Sequence, residues 1–282
     1  MRKILVPTDF SENALNALQY ALELFKYDVC EFFVLHTYQD ELYQDEVLLN
    51  RETLAEITRI VSGRTEAQLD KLAGHIHEKF INPRHTIHTI AANSMLLDEA
   101  DKIVDNENID LIIMGTRGKT NDRKVTFGSH TLQVLKYVQC PVLAVPEDFK
   151  GIQPRHILFP TDYMIPYKRR ELKLLCELAS PYRASIDILY ISKSQKLSLR
   201  QEDNQQFIKE ELCKTEINFL TIPDSNITHA ISTYIQENEV DMLVMVNTRH
   251  SFLENILFQS TIDKISLQIK IPFLALQNIR RN

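Results

Sequence analysis

The residues best placed to do chemistry are Gly115-Thr116-Arg117-Gly118 and, nine residues further on, Gly128-Ser129. They follow the apolar, β-branched run Leu111-Ile112-Ile113-Met114, which stops at the first of these glycines. A strand that ends in a glycine turn and resumes as a helix presents backbone N–H groups to an anion. The spacing therefore predicts a phosphate site at the carboxyl edge of a parallel sheet. Gly115 and Gly118 can take positive φ and let a ligand approach without a Cβ in the way, and Ser129 is expected either to cap the helix or to turn its hydroxyl to a phosphate oxygen. Arg117, Lys119, Arg123 and Lys124, opposed only by Asp122, would steer the anion. Asp9 closes the first strand at the same edge, where it can accept a hydrogen bond from a base or ribose or close an Asx turn. The spacing is neither Walker A nor the G-x-G-x-x-G dinucleotide fingerprint.

Other candidates are weaker. His75 and His77 are two apart on a helix and face different ways, and His85 and His88 fall on opposite faces of a strand. His36 ends a strand near the predicted site, where local hydrogen bonding is as good a role as ligand positioning. Glu46, Glu52 and Glu56 fit a solvated helix face. Cys30, Cys140, Cys176 and Cys213 lack C-x-x-C spacing and read as reduced thiols, which argues against a redox enzyme. Hydrolysis of a bound nucleotide would need a coordinated Mg²⁺ and an oriented water besides phosphate donors, so binding has the stronger warrant and any turnover is expected to be slow.

The elements that must position these groups alternate strand and helix. Ile4–Val6 is a buried strand, followed by a helix capped at Ser11 with Ala14, Leu18, Ala21, Leu22 and Phe25 on its apolar face. Glu31–His36, His85–Ile90, Ile109–Met114 and Pro141–Pro146 supply four further strands. Between them lie a long helical stretch over Glu46–Phe80 interrupted by Gly63 and Gly74, a helix capped by Ser94, and one over Thr131–Val138.

The chain then begins again. Arg2-Lys3-Ile4-Leu5-Val6-Pro7-Thr8-Asp9-Phe10 is matched by Arg155-His156-Ile157-Leu158-Phe159-Pro160-Thr161-Asp162-Tyr163, and Pro141–Val145 by Pro272–Leu276. The second copy is shorter, because the long helical region of the first has no full counterpart, and periodicity leaves its third strand, near Ile217–Leu220, ambiguous. Its glycines are gone: Asn247-Thr248-Arg249-His250 replaces Gly115–Gly118, and Ser260-Thr261 replaces Gly128-Ser129. Duplication predicts two domains, residues 1–147 and 152–282, with a functional site in the first alone. At 282 residues with 44% hydrophobic content, two cores are affordable, and a net charge of -6 offers no general attraction to nucleic acid or to an anionic membrane. No apolar run reaches the roughly 18 residues of a membrane span, so no membrane insertion and a cytoplasmic location are expected.

Val6-Pro7-Thr8-Asp9-Phe10-Ser11, the Gly115/Gly118/Gly128-Ser129 pattern and Cys140–Pro146 together resemble the universal stress protein family in a tandem form. The resemblance implies an α/β fold of two doubly wound five-stranded parallel sheets, each ordered 3-2-1-4-5, the second shortened. It implies ATP or a related adenine nucleotide, with Mg²⁺, held by Pro7, Thr8, Asp9, Met114, Gly115, Arg117, Gly118, Gly128, Ser129 and His130. Asp9 would lie by the adenosine, Gly115 by the ribose, and Gly118, Gly128 and Ser129 by the phosphates. It further implies an intramolecular pseudo-dimer through the fifth strands, or a homodimer, in a stress-response or signalling protein. A slow ATPase and a nucleotide-independent protein interaction scaffold are the alternatives.

Overall fold

A computed structural model describes the chain except residues 44–52, 119–125, 152, 195, 213–214, 248–268 and 279–282. The chain groups into two compact units, one of Met1–Asn121 with Gly128–Val142, the other of Asp122–Phe127 with Leu143–Asn282.

The first repeat runs β1 (Arg2–Pro7), α1 (Glu12–Leu24), β2 (Cys30–Thr37), α2 (Gln39–Leu42), α3 (Leu54–Lys79), β3 (His85–Ala92), α4 (Leu96–Glu107), β4 (Leu111–Gly115), α5 (Ser129–Tyr137) and β5 (Val142–Val145). Its strands lie in the order β3-β2-β1-β4-β5. Pairing is parallel, with Ile4 beside Phe32 and Leu111, and Phe32 beside Ile87. Ile4, Leu5 and Val6 are wholly buried because helices cover both faces of such a sheet, which is why the strand reads as an unbroken apolar run.

Local chemistry sets the helix starts. Ser11 caps α1 by accepting from the Ala14 N–H, and Thr53 and Glu56 form a reciprocal capping box on α3. Among the described residues of the long helical stretch, Leu54–Lys79 is one helix of 26 residues; residues 46–52 lie outside the described residues. A Cβ at Gly63 or Gly74 would meet nothing within 4 Å, so these glycines cost helix propensity without interrupting packing. Ser94 is not the cap of α4. The helix starts at Leu96 with Met95 in the capping position and no side-chain cap, and the Ser94 hydroxyl donates instead to the Met95 carbonyl.

The second repeat runs β6 (His156–Thr161), α6 (Arg169–Ala179), a 3-10 turn (Ser180–Tyr182), β7 (Ser185–Ile191), α7 (Leu199–Glu211), β8 (Ile217–Ile222), α8 (Ile227–Glu237), β9 (Met242–Asn247) and β10 (Phe273–Gln277). Its order β8-β7-β6-β9-β10 is again 3-2-1-4-5, so the ambiguous third strand is present as β8. Asp110 accepts from the Lys3 N–H at 2.9 Å, and Asp241 accepts from the His156 N–H at 2.9 Å, the same tie at the start of the first strand.

Candidate functional site

The site is built where β1 and β4 end. After Pro7 the chain turns sharply: the Phe10 N–H donates to Thr8 Oγ1 at 3.0 Å and the Ser11 N–H to Asp9 Oδ1 at 3.0 Å. These bonds hold Phe10 in the left-handed region at φ 61°, an unusual conformation for a bulky residue. Asp9 thus closes an Asx turn with one oxygen and directs the other at the glycine loop. A Cβ on Gly118 would stand 2.7 Å from Asp9 Oδ2.

The glycines serve closeness and not an unusual backbone. No glycine has positive φ, so Gly115 and Gly118 do not use the freedom they have. At Gly115 a Cβ would lie 2.9 Å from Asn13 Cγ, and the buried Asn13 donates from Nδ2 to the Arg117 carbonyl at 2.7 Å. Buried Thr131 donates to the Gly115 carbonyl at 2.9 Å, and the Gly128 N–H donates to the Thr116 carbonyl at 2.8 Å. Both ends of the loop are thereby tied to the start of α5.

Ser129 is not the cap of α5 but its first residue. Gly128 occupies the capping position at φ -70° and ψ 165°, and no side chain caps the helix. The first intrahelical bond runs from the Leu132 N–H to the Gly128 carbonyl, so the Ser129, His130 and Thr131 amides precede the helical ladder. An N-terminus left open in this way favours an anion through its amides and its dipole. Ser129 and His130 are exposed, and His130 Nε2 lies 3.9 Å from Asp40 of α2.

Of the residues expected at the site, Thr8, Asp9, Arg117, Gly118 and Gly128 fall on the loops at this edge, Gly115 is the buried last residue of β4, and Ser129 and His130 open α5. Pro7 and Met114 are buried within their strands. Lys119, Asp122, Arg123 and Lys124 lie outside the described residues. His36 is buried beneath the Phe10 ring, centroids 4.6 Å apart. Its Nδ1 donates to the Thr8 carbonyl at 2.7 Å, and Nε2 sits 3.2 Å from Glu41 Oε1, tying the first turn to α2. Asn13 and Thr131 were missed in the sequence, although a polar residue on the apolar face of a helix, as Asn13 is beside Ala17 and Ala21, is a signal that could have found them.

Away from this edge, His85 bonds the Phe25 carbonyl while His88 stacks on Phe33, so the two serve separate contacts. Glu56 belongs to the capping box; Glu46 and Glu52 lie outside the described residues.

The second repeat repeats the turn. The Tyr163 N–H donates to Thr161 Oγ1 and the Met164 N–H to Asp162 Oδ1, with Tyr163 at φ 54°. Its loop is longer, and the buried Tyr167 folds back so that its hydroxyl bonds Thr161. Gln201 and Asn204 of α7 donate to the Asp162 and Tyr163 carbonyls at 2.8 and 2.7 Å. The space left beside Thr161, Tyr167 and Val246 is about 20 Å³, room for a water molecule at most. Asn247 continues β9 and bonds Gln277, where the first repeat has turned away at glycine. Residues 248–250 and 260–261 lie outside the described residues.

Fold and site define a doubly wound α/β protein with a glycine-lined loop at the carboxyl edge of the β1 and β4 strands. The Universal stress protein family matches residues 1–146, and the chain belongs to that family. It is 29% identical over 152 residues to Universal stress protein MJ0577 of Methanocaldococcus jannaschii, covering 51% of this chain and 94% of that protein. It is 28% identical over 150 residues to Universal stress protein MJ0531 of the same organism, covering 53% and 84%. The crystal structure of a universal stress protein from Archaeoglobus fulgidus is similar over 98% of this chain and 96% of that one, with a TM-score of 0.67 at 18% identity, a likeness of fold.

Proposed function

We propose that the chain binds ATP or a related adenine nucleotide at one site, in the first repeat, and acts as a stress-response or signalling protein. The observation that carries this reading is the open N-terminus of α5, which Gly128 leaves without a side-chain cap beside a loop closed onto Asp9. The phosphates would take the amides of Gly118, Ser129 and His130, with Gly128, whose own N–H is spent on the Thr116 carbonyl, leaving room at the helix end. The adenosine would lie on the Thr8–Phe10 turn, with the ribose by Gly115.

The donor set fits a nucleotide better than a resident metal. Among the described residues no three His, Cys, Asp or Glu side chains converge as ligands, so Mg²⁺ would arrive on the phosphates. A cytoplasmic location and a pseudo-dimer through the fifth strands belong to the same proposal. No helix among the described residues is long and apolar enough to cross a membrane. Calorimetric titration of the intact chain with ATP and Mg²⁺ tests the reading, and saturating nucleotide without heat or bound mass would turn it towards a nucleotide-independent scaffold.

A further inference from the structure

We infer that Asn13, on the first turn of α1, is a positioning residue that orients the Arg117–Gly118 peptide for phosphate binding; this rests on the nucleotide reading above. Asn13 is 2% exposed, an unusual position for an amide on the sheet-facing side of a helix. One half of that amide is used: Nδ2 donates to the Arg117 carbonyl at 2.7 Å. The other half, Oδ1, has no hydrogen-bond partner among the described residues. A buried acceptor left unpaired costs stability, and an apolar side chain of similar size would avoid that cost. Asn13 is therefore poorly explained as a packing residue.

What the amide accomplishes is directional. The Arg117 carbonyl and the Gly118 N–H belong to one planar trans peptide and point opposite ways. Because Asn13 draws the carbonyl towards α1, the Gly118 N–H is turned away from α1. The Gly118 nitrogen lies 3.8 Å from the Cβ position of Gly128, which caps the open N-terminus of α5. The Gly118 amide is thus aimed as one more donor beside the amides of Ser129 and His130. Gly115 completes the arrangement, since a Cβ there would stand 2.9 Å from Asn13 Cγ and push the amide off the Arg117 carbonyl.

The second repeat has lost both members of this pair together. Where α1 begins Glu12-Asn13, α6 begins Arg169-Arg170, and Arg170 reaches the Gln277 carbonyl instead. Where β4 ends at Gly115, β9 continues through Val246 and Asn247.

The test is Asn13→Leu, which keeps much of the volume and removes the donor, with Asn13→Ala as a second variant should leucine overpack. Binding of ATP with Mg²⁺ and of adenosine alone is measured beside thermal melting. The expected result is ATP affinity about tenfold weaker, the loss of roughly one hydrogen bond, with adenosine affinity and melting temperature near those of the parent chain. ATP affinity unchanged in a folded variant overturns the role. So does an equal loss for ATP and adenosine that follows a fall in melting temperature, which would make Asn13 a packing residue. If the parent chain binds neither compound, it is the nucleotide reading that fails, and the two failures are told apart.

Discussion

The Asp9 carboxylate and the Gly118 backbone are fitted to each other: Oδ2 lies 2.7 Å from the point where a Cβ on Gly118 would begin. Its other oxygen is held by the Ser11 N–H at 3.0 Å, so the carboxylate has little freedom to retreat without opening the first turn. Gly118→Ala should displace Asp9 and weaken ATP binding tenfold or more while the melting temperature falls by only a few degrees. Adding Asp9→Ala should recover melting but not affinity. Calorimetry beside differential scanning calorimetry checks this, and undiminished binding by Gly118→Ala would show that the contact is irrelevant to the ligand.

Thr131 ties α5 to the end of β4. Its hydroxyl is buried and donates to the Gly115 carbonyl at 2.9 Å. Thr131→Val keeps the shape, removes the donor and should cost about 1 kcal/mol in chemical denaturation, with the first repeat bearing the loss. No change in the denaturation midpoint would mean that water replaces the hydroxyl at no cost.

In the second repeat Tyr163, the counterpart of Phe10, is buried, Tyr167 folds back onto Thr161, and Gln201 and Asn204 of α7 hold the turn, a packing expected to obstruct a nucleotide. Restoring one glycine, as Asn247→Gly, should therefore leave nucleotide stoichiometry at one per chain. A second bound nucleotide in native mass spectrometry of that variant would place the block at Asn247 alone.

A buried network at the other end of the second sheet makes stability depend on pH. Burial would raise the Asp187 carboxyl, but hydrogen bonds from Tyr234 at 2.6 Å, from His156 and from Asn218 at 2.9 Å outweigh it and hold the group below the ordinary carboxylate range. A depressed folded value means that the contribution is fully present above the ordinary value of about 3.9 and is lost as pH falls through the folded one. Melting followed below about pH 4 should show an acid loss that Asp187→Asn reduces. Tyr234→Phe, which removes a bond to a charged acceptor, should cost ~1.5–3 kcal/mol at neutral pH. An acid profile identical in Asp187→Asn would remove Asp187 from that account.

The sheet order was legible because a buried parallel strand needs apolar residues on both faces, so Ile4-Leu5-Val6 and Ile157-Leu158-Phe159 both read as buried first strands while their surroundings differ. The glycine loop was legible through its spacing, but the positive φ that glycine permits is not what the loop uses. Missing side chains there allow Asn13 and Asp9 to approach, a fact of tertiary packing that no local propensity carries. Ser94 and Ser129 each lie one residue from the capping position, an error within the usual uncertainty of helix ends. β8 was ambiguous because Ile217–Leu220 is short and only half buried, which blurs its period. Tyr167 gave no signal at all, since only the folded loop brings it back to Thr161.

The most direct test of the central claim is the stoichiometry of ATP with Mg²⁺ on the intact, folded chain, measured by calorimetry and by native mass spectrometry on the same preparation. One nucleotide per chain, abolished by bulky substitution at Gly118 and indifferent to Asn247→Gly, is the predicted result. A folded chain that stays empty under saturating nucleotide, or one that binds two with equal affinity, would contradict a single site in the first repeat.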